Sequence, residues 1–425
     1  MRKILIVTTA LLFTTSLLAQ FTPSPPEDTT KAKQLEEVVI TGQYKPQSVK
    51  NSVYQVRVIN NERIRLSGAT NVQQVLNNQL GFRFSNDNTL GVSDVSLAGM
   101  SGRNIKILLD GIPLTDRNDA RESINQIDIN TIERIEIVDG PMSVSYGSDA
   151  LAGVINIITQ KNTKEHISVF AKAQEETAGR EYYPGSYKGV HAQNVGINFK
   201  KKTWHTSVGG THNDFDGFGG DEYGRGKTWR PKEQWMGYVK GGYSNNGFDI
   251  YYRLDGLKET ITDRETINML TYRAINKKYG TDRFIHQLQS AWHINNRSQV
   301  NTILSYTDYK RKTTTAIHDF EKNTDALSTA DGEQDLAKLN SFIFRSTMQY
   351  QACGKLSFQP GIEIQREAAT SGRIEGRPVI TDYAVFVSSE IKPTGKINIR
   401  PGLRFIHNST YDAPPVVPSL NTKFV

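Results

Sequence analysis

From residue 161 onward, apolar and polar side chains alternate in segments of about ten residues, the length and period of a strand that crosses a bilayer at a slant. Arg283–Asn295 shows the pattern most fully: Phe284, His286, Leu288, Ser290, Trp292 and Ile294 share one face, while Gln287, Gln289 and His293 share the other. Asp249–Leu257, Gln299–Tyr309, Ser341–Gln351, Thr381–Ile391 and Ile397–His407 alternate in the same way. Roughly twelve strands are expected in all, the last being Val416–Val425. Tight turns are expected near Lys200–Lys202, Ser244–Gly247, Asn295–Arg297, Cys353–Lys355 and Pro393–Lys396, and long polar loops at about 176–187, 214–233, 258–282, 310–340 and 368–380. Short turns alternating with long loops predict an all-β transmembrane barrel of antiparallel strands, its turns on the periplasmic rim and its loops facing the medium. A soluble β-sandwich fits less well, because strands of this length and one-sided loops are unusual there.

The preceding segment, 43–160, changes period and reads as a compact α+β domain. Thr70 or Asn71 can cap a helix running through Leu80, with Val72, Val75, Leu76 and Leu80 on one stripe and Gly81 ending it. Strands are expected at Val92–Leu97, Asn104–Leu109, Ile132–Val138 and Val154–Thr159, with Asp110-Gly111-Ile112-Pro113 and Asp139-Gly140-Pro141 supplying turns. Ahead of this domain, Pro23, Pro25, Pro26, Glu27 and Asp28 mark a polar stretch expected to act as a flexible tether over 20–42. It ends in the β-prone run Leu35-Glu36-Glu37-Val38-Val39-Ile40-Thr41-Gly42, whose backbone can add to the edge of another sheet or start the next domain. Met1-Arg2-Lys3 followed by the apolar run Ile4–Leu18 describes a secretory signal, with cleavage expected after Ala19.

Composition narrows the class further. The chain is 425 residues with 37% hydrophobic and 22% charged side chains, which excludes a helical transporter and a disordered chain. The net charge of +7 falls beyond residue 160 and is scattered apart from Lys200-Lys201-Lys202, so nucleic-acid binding is not expected. The single Cys353 permits neither an internal disulfide nor a two-cysteine metal site. Size then relates the two halves. A domain of about 120 residues is roughly 35 Å across, while twelve strands close to a diameter of roughly 24 Å and twenty-two to roughly 44 Å. The domain fits only the larger barrel, so the expected architecture is a partial barrel, about 12 of 22 strands, with the α+β domain as a plug in its lumen.

Four stretches carry a resemblance to a known family. Glu36-Glu37-Val38-Val39-Ile40-Thr41-Gly42 is similar to a TonB box, and Leu97-Ala98-Gly99-Met100 with Ile107-Leu108-Leu109-Asp110-Gly111-Ile112-Pro113-Leu114 resembles a central plug motif. Ile132–Pro141 and Tyr146–Thr159 resemble the end of a plug, and the chain looks like the N-terminal part of a TonB-dependent outer-membrane receptor. Ala98 and Asp139 stand where the family usually has arginine, so charge pairs between plug and wall are expected to differ here. The resemblance implies active import across the outer membrane of a Gram-negative bacterium, driven by TonB and its inner-membrane energising complex. It implies that Glu36, Glu37, Val38, Val39, Ile40, Thr41 and Gly42 bind TonB.

Ligand contacts are expected at the polar plug apices, Ser85, Asn86, Asp87 and Asn88 in one loop and Thr115, Asp116, Arg117, Asn118 and Arg121 in another. A ferric siderophore is the first expectation; haem, vitamin and oligosaccharide importers are alternatives, as is a product serving only as a TonB-binding plug module. No protein cofactor or metal site is expected, although the ligand may carry iron, and the chain is expected to be a monomer among outer-membrane lipid and lipopolysaccharide. Gly226-Lys227-Thr228 lacks the glycine that a phosphate loop requires, Asp221 occupying that position. His286 and His293 fall on opposite strand faces and cannot share a metal, and no catalytic constellation is evident, so no enzyme is expected.

Overall fold

The computed structural model describes residues 38–39, 41, 47–48, 52–87, 92–115, 123–147, 150–161, 166–185, 187–220, 225–412 and 414–424, all within one compact unit. A first set of short strands and helices builds the plug. In chain order these are β1 (Val38–Val39), β2 (Gln47–Ser48), β3 (Gln55–Asn60), α1 (Asn61–Leu66), α2 (Val72–Asn77), β4 (Phe82–Asp87), β5 (Val92–Leu97), β6 (Met100–Ser101), β7 (Ile105–Leu109), β8 (Ile112–Pro113), β9 (Ile132–Asp139), α3 (Ser143–Tyr146) and β10 (Gly153–Thr159). The central sheet has the order β3-β9-β10-β7-β8, in which β10 lies parallel to β7 and antiparallel to β9. Its middle strands are the Ile- and Val-rich runs of the sequence, because both of their faces are covered. Ile135, Ile137, Ile155 and Ile157 are fully buried in a core shared with Val72, Val75 and Leu76 of α2. Burial of each such side chain contributes about 1.5–3 kcal/mol.

Local chemistry sets the element ends. The Asn71 side chain accepts from Gln74 N at the start of α2, as expected, but the helix stops at Asn77. Leu80, expected on the buried stripe, is exposed beside Gly81, whose positive φ turns the chain into β4. Ser85, Asn86 and Asp87, expected in a loop, are instead strand residues paired with Asp94, Ser93 and Val92.

The wall follows as a continuous antiparallel sheet of β11 (Ile167–Glu176), β12 (Val190–Lys201), β13 (Trp204–Phe215), β14 (Lys232–Ser244), β15 (Phe248–Arg264), β16 (Arg273–Asn295), β17 (Ser298–Asp319), β19 (Leu336–Cys353), β20 (Leu356–Thr370), β21 (Val379–Thr394), β22 (Ile397–Asn408) and β23 (Val416–Phe424). The short β18 (Thr324–Leu327) pairs only with β17. The alternation and the tight turns match the expected pattern, and the barrel is partial. Two expected loops are largely strand: β15, β16 and β17 extend through 258–264, 273–282 and 310–319, leaving 265–272 and 320–335 as connections. Their outer faces carry polar residues there, such as Lys258, Asp282 and Lys310, because that part of the wall stands above the apolar band.

Candidate functional site

The wall and plug define an axis. Gln289, near the tight turn after β16, donates to Asp110 O (2.9 Å), whereas Glu259, near the long-loop end of β15, accepts from Gln126 Nε2 (2.9 Å). The Asp110-Gly111 turn therefore faces the periplasmic rim and the 3₁₀ segments Ser123–Gln126 and Ile129–Thr131 face the external rim.

The described part of the TonB-box-like run lies on the plug near its periplasmic end. Val38 and Val39 pair antiparallel with Ser48 and Gln47, and Val39 is fully buried beside Val56, Val138 and Val154. Thr41 is also buried: its N–H donates to Glu136 Oε2 (2.7 Å) and its hydroxyl accepts from Asn156 Nδ2 (2.9 Å). Asn156 Oδ1 accepts from Gly111 N (3.0 Å), so the same amide ties Thr41 to the turn that Gln289 of the wall holds. Glu136 sits at the centre of β9 and takes Arg134 Nε (2.8 Å) as a second partner. The flexible tether expected over 20–42 is thus corrected at Val38, Val39 and Thr41, which a strand pairing and two buried polar side chains hold on the plug. Glu36, Glu37, Ile40 and Gly42 lie outside the described residues.

Of the expected ligand contacts, Ser85 is exposed on β4 and Thr115 is half-buried after β8. Asn88, Asp116, Arg117, Asn118 and Arg121 lie outside the described residues. The chain re-enters the described region at Ser123, on the external side, where Gln234 Nε2 bridges Asn125 O (3.1 Å) and Glu259 Oε2 (2.6 Å) and Arg283 donates to Gln126 O (2.8 Å). Next to this seam Asp128 accepts from Thr211 Oγ1 (2.6 Å) and from Asn130 N (3.0 Å). Burial pushes the Asp128 carboxyl above its ordinary value, and the hydrogen bonds from Thr211 and Asn130 oppose the shift.

A second anchor joins α3 to the wall. Glu363 on β20 is flanked by Arg345 (3.2 Å) and Arg404 (2.6 Å), and these arginines donate to Ser145 O (2.6 Å) and Val144 O (3.4 Å). Arg345 also stacks over the Tyr146 ring at 5.0 Å. The ion cluster lies in the wall and reaches the plug through backbone carbonyls. Asp139, where the resemblance led one to expect arginine, forms a bidentate pair with Arg57 inside the plug (2.7 and 3.0 Å), and Ala98 occupies a positive-φ turn between β5 and β6. The wall residues Gln234, Glu259, Arg345, Glu363 and Arg404 were not singled out from sequence; alternation placed them on the inner face without indicating their partners.

Comparison with known proteins agrees with this architecture. Residues 48–154 match the TonB-dependent Receptor Plug Domain. The iron-regulated outer membrane virulence protein of Vibrio cholerae is 34% identical over 166 residues, covering 37% of this chain and 24% of that protein. A vitamin B12 transporter of Photobacterium profundum, BtuB, is 28% identical over 142 residues, covering 33% of this chain and 22% of its own length. Among solved structures, a mutant of the ferric enterobactin receptor PfeA of Pseudomonas aeruginosa superposes with a TM-score of 0.69 at 16% identity, over 88% of this chain and 60% of that one. The siderophore receptor PirA of the same organism gives 0.65 at 16% identity, over 87% and 59%. The chain carries the plug domain of a TonB-dependent outer-membrane receptor together with a partial barrel of that fold. The matched segments span about a quarter of the curated relatives and about 60% of the solved receptors.

Proposed function

We propose that the protein imports a scarce iron-bearing ligand, a ferric siderophore, across the outer membrane, with TonB acting on Glu36–Gly42 at the periplasmic side. One observation carries this reading: a strand of the box-like run is docked by Thr41 onto Glu136 and Asn156, and Asn156 continues to the turn bonded to the wall. A segment with strand character at the periplasmic end of the plug is placed to be captured by strand addition. The names of the iron-regulated and siderophore-binding relatives favour iron, and the vitamin B12 transporters favour a vitamin as the second reading. The gram-negative setting and the signal cleaved after Ala19 belong to the same proposal.

The test is uptake of radiolabelled iron as ferric enterobactin, and of labelled vitamin B12, by cells without receptors of their own for either. Iron uptake that requires the protein and stops on deletion of Glu37–Thr41 or on collapse of the proton gradient supports the reading. Uptake that survives the deletion contradicts TonB coupling, and vitamin uptake alone replaces the ligand.

A further inference from the structure

A cavity lies on the outer side of the wall, away from the plug. Thr211 on β13, Gln234 on β14 and Glu259 on β15 bond to the plug and so face the lumen. Side chains alternate along a strand, which turns Asp214, Glu233, Thr260, Thr262 and Arg264 outward. The connection from β13 to β14 is closed on itself by a bridge between Phe218 and Trp229 (2.9 and 2.8 Å), and it brings Arg225 and Lys227 onto the same space. The cavity has a volume of about 460 Å³, within the ~300–1,000 Å³ of small-molecule sites.

Charge on its lining is divided by strand. The acids Asp214, Asp216 and Glu233 stand at the end of β13 and the start of β14, where Asp214 is the cross-strand partner of Glu233. Cations gather on the far side. Arg264 is the cross-strand partner of Asn276 on β16, and Arg225 donates to Asn276 Oδ1 (2.7 Å) with its guanidinium over the Phe320 ring at 4.8 Å. Lys278, opposite Thr262, adds to that side, and Lys227 adds a further cation from the connection. Thr260, opposite Glu233, and Thr262 place hydroxyl groups between the two halves. Of the remaining charged residues, Arg230 and Asp263 pair with each other (2.8 Å), and Lys232 alternates to the lumen side. Glu233 already accepts from Trp235 Nε1 (2.9 Å), whereas Asp214 and Asp216 form no hydrogen bond or ion pair among the described residues, and there Arg225 Nη1 is buried without a partner.

We propose that this cavity binds a short peptide of two or three residues by its free ends, the carboxylate on Arg225 and the ammonium group on Asp214 and Asp216. The occupant follows from the division of charge. A simple anion meets Arg225 but sets a second negative charge beside the acids, whereas a molecule with opposite charges at its ends answers both halves. The span sets its length: β14 and β16 are two strand spacings apart, about 10 Å, and an extended peptide covers at most ~3.3–3.6 Å per residue. Arg225, already oriented by Asn276, offers its remaining N–H groups in the planar fork that suits a carboxylate. Amide groups of the peptide then lie over the Thr260 and Thr262 hydroxyls. The site opens outside the lumen, so it is separate from the path of the transported ligand and independent of that ligand's identity.

The test is calorimetric titration of the full chain in detergent micelles with trialanine, with its N-acetylated form, with its C-terminal amide and with inorganic phosphate. The wild type is expected to bind trialanine at least tenfold more tightly than either capped form or phosphate. Arg225→Gln is expected to weaken trialanine at least tenfold and to bring it level with the amide. Asp214→Asn combined with Asp216→Asn is expected to bring trialanine level with its acetylated form while the preference over the amide persists. No binding of trialanine, equal binding of free and capped peptides, phosphate bound as tightly as trialanine, or an Arg225→Gln variant that still prefers the free carboxylate each overturns the proposal. Heat-dependent gel mobility reports folding, and should a variant not fold, the comparison of ligands on wild type decides.

Discussion

Replacing Glu363 by glutamine isolates the anchor between α3 and the wall. The carboxylate is enclosed by Arg345 and Arg404, whose side chains are 15% and 4% exposed, and glutamine keeps the shape while removing the counter-charge from both. Breaking a buried pair by removing one partner costs about 3–5 kcal/mol, since the stranded charge stays desolvated. Both arginines hold carbonyls of α3, so the cost falls on the plug's attachment, and opening of α3 should become about 10²- to 10⁴-fold more frequent. Hydrogen exchange of the full chain in micelles reads this directly at Tyr146 N and Gly147 N, which bond to Met142 O and Ser143 O. Exchange within about twofold of wild type would refute the argument that this ion cluster holds the plug. A variant replacing Arg345, Glu363 and Arg404 together with apolar residues of similar size should recover only part of the loss, because it removes the unbalanced charge but also the donors to Ser145 O and Val144 O.

Three further outcomes follow. Gly153→Ala places a Cβ 2.3 Å from Val138 O at φ +151, so the centre of the plug sheet must shift; a loss of about 1–3 kcal/mol or more should appear as accelerated proteolysis of the plug, with the wall intact. Thr41→Val removes the hydroxyl that accepts from Asn156 and leaves a buried donor unpaired, which costs about 1–3 kcal/mol and should speed exchange at Val38, Val39, Gln47 and Ser48 roughly tenfold or more. Asp128 has a folded-state value raised by burial, so its contribution to stability is full below the ordinary carboxylate range and is lost as pH rises through the raised value. The melting temperature of wild type relative to Asp128→Asn should accordingly fall over that rise, and a difference that stays flat or grows would contradict the assignment.

The sequence made the membrane-crossing strands legible because one face of each meets lipid, as in Phe284–Ile294, and made β9 and β10 legible because both faces meet the plug core. It hid the upper parts of β15, β16 and β17, where Lys258, Thr260 and Lys310 face water and the apolar half of the alternation disappears. Ser85–Asp87 read as a loop for the same reason, although their backbone pairs with Val92–Asp94. Polarity likewise concealed the site that holds Thr41. Glu136 and Asn156 look like solvent-facing residues in an alternating strand, and only the arrangement of β9, β10 and the preceding chain shows that they are buried and bonded. The wall anchors depend on partners far apart in sequence, such as Arg404 and Val144, which no local pattern encodes.

The most direct measurement of the central claim is calorimetric titration of the full chain in micelles with the periplasmic domain of TonB, comparing the intact protein with one lacking Glu37–Thr41. The account predicts binding to the intact chain, tightened by Thr41→Val because the segment is released from Glu136 and Asn156, and no binding after the deletion. Equal binding with and without Glu37–Thr41 would contradict it.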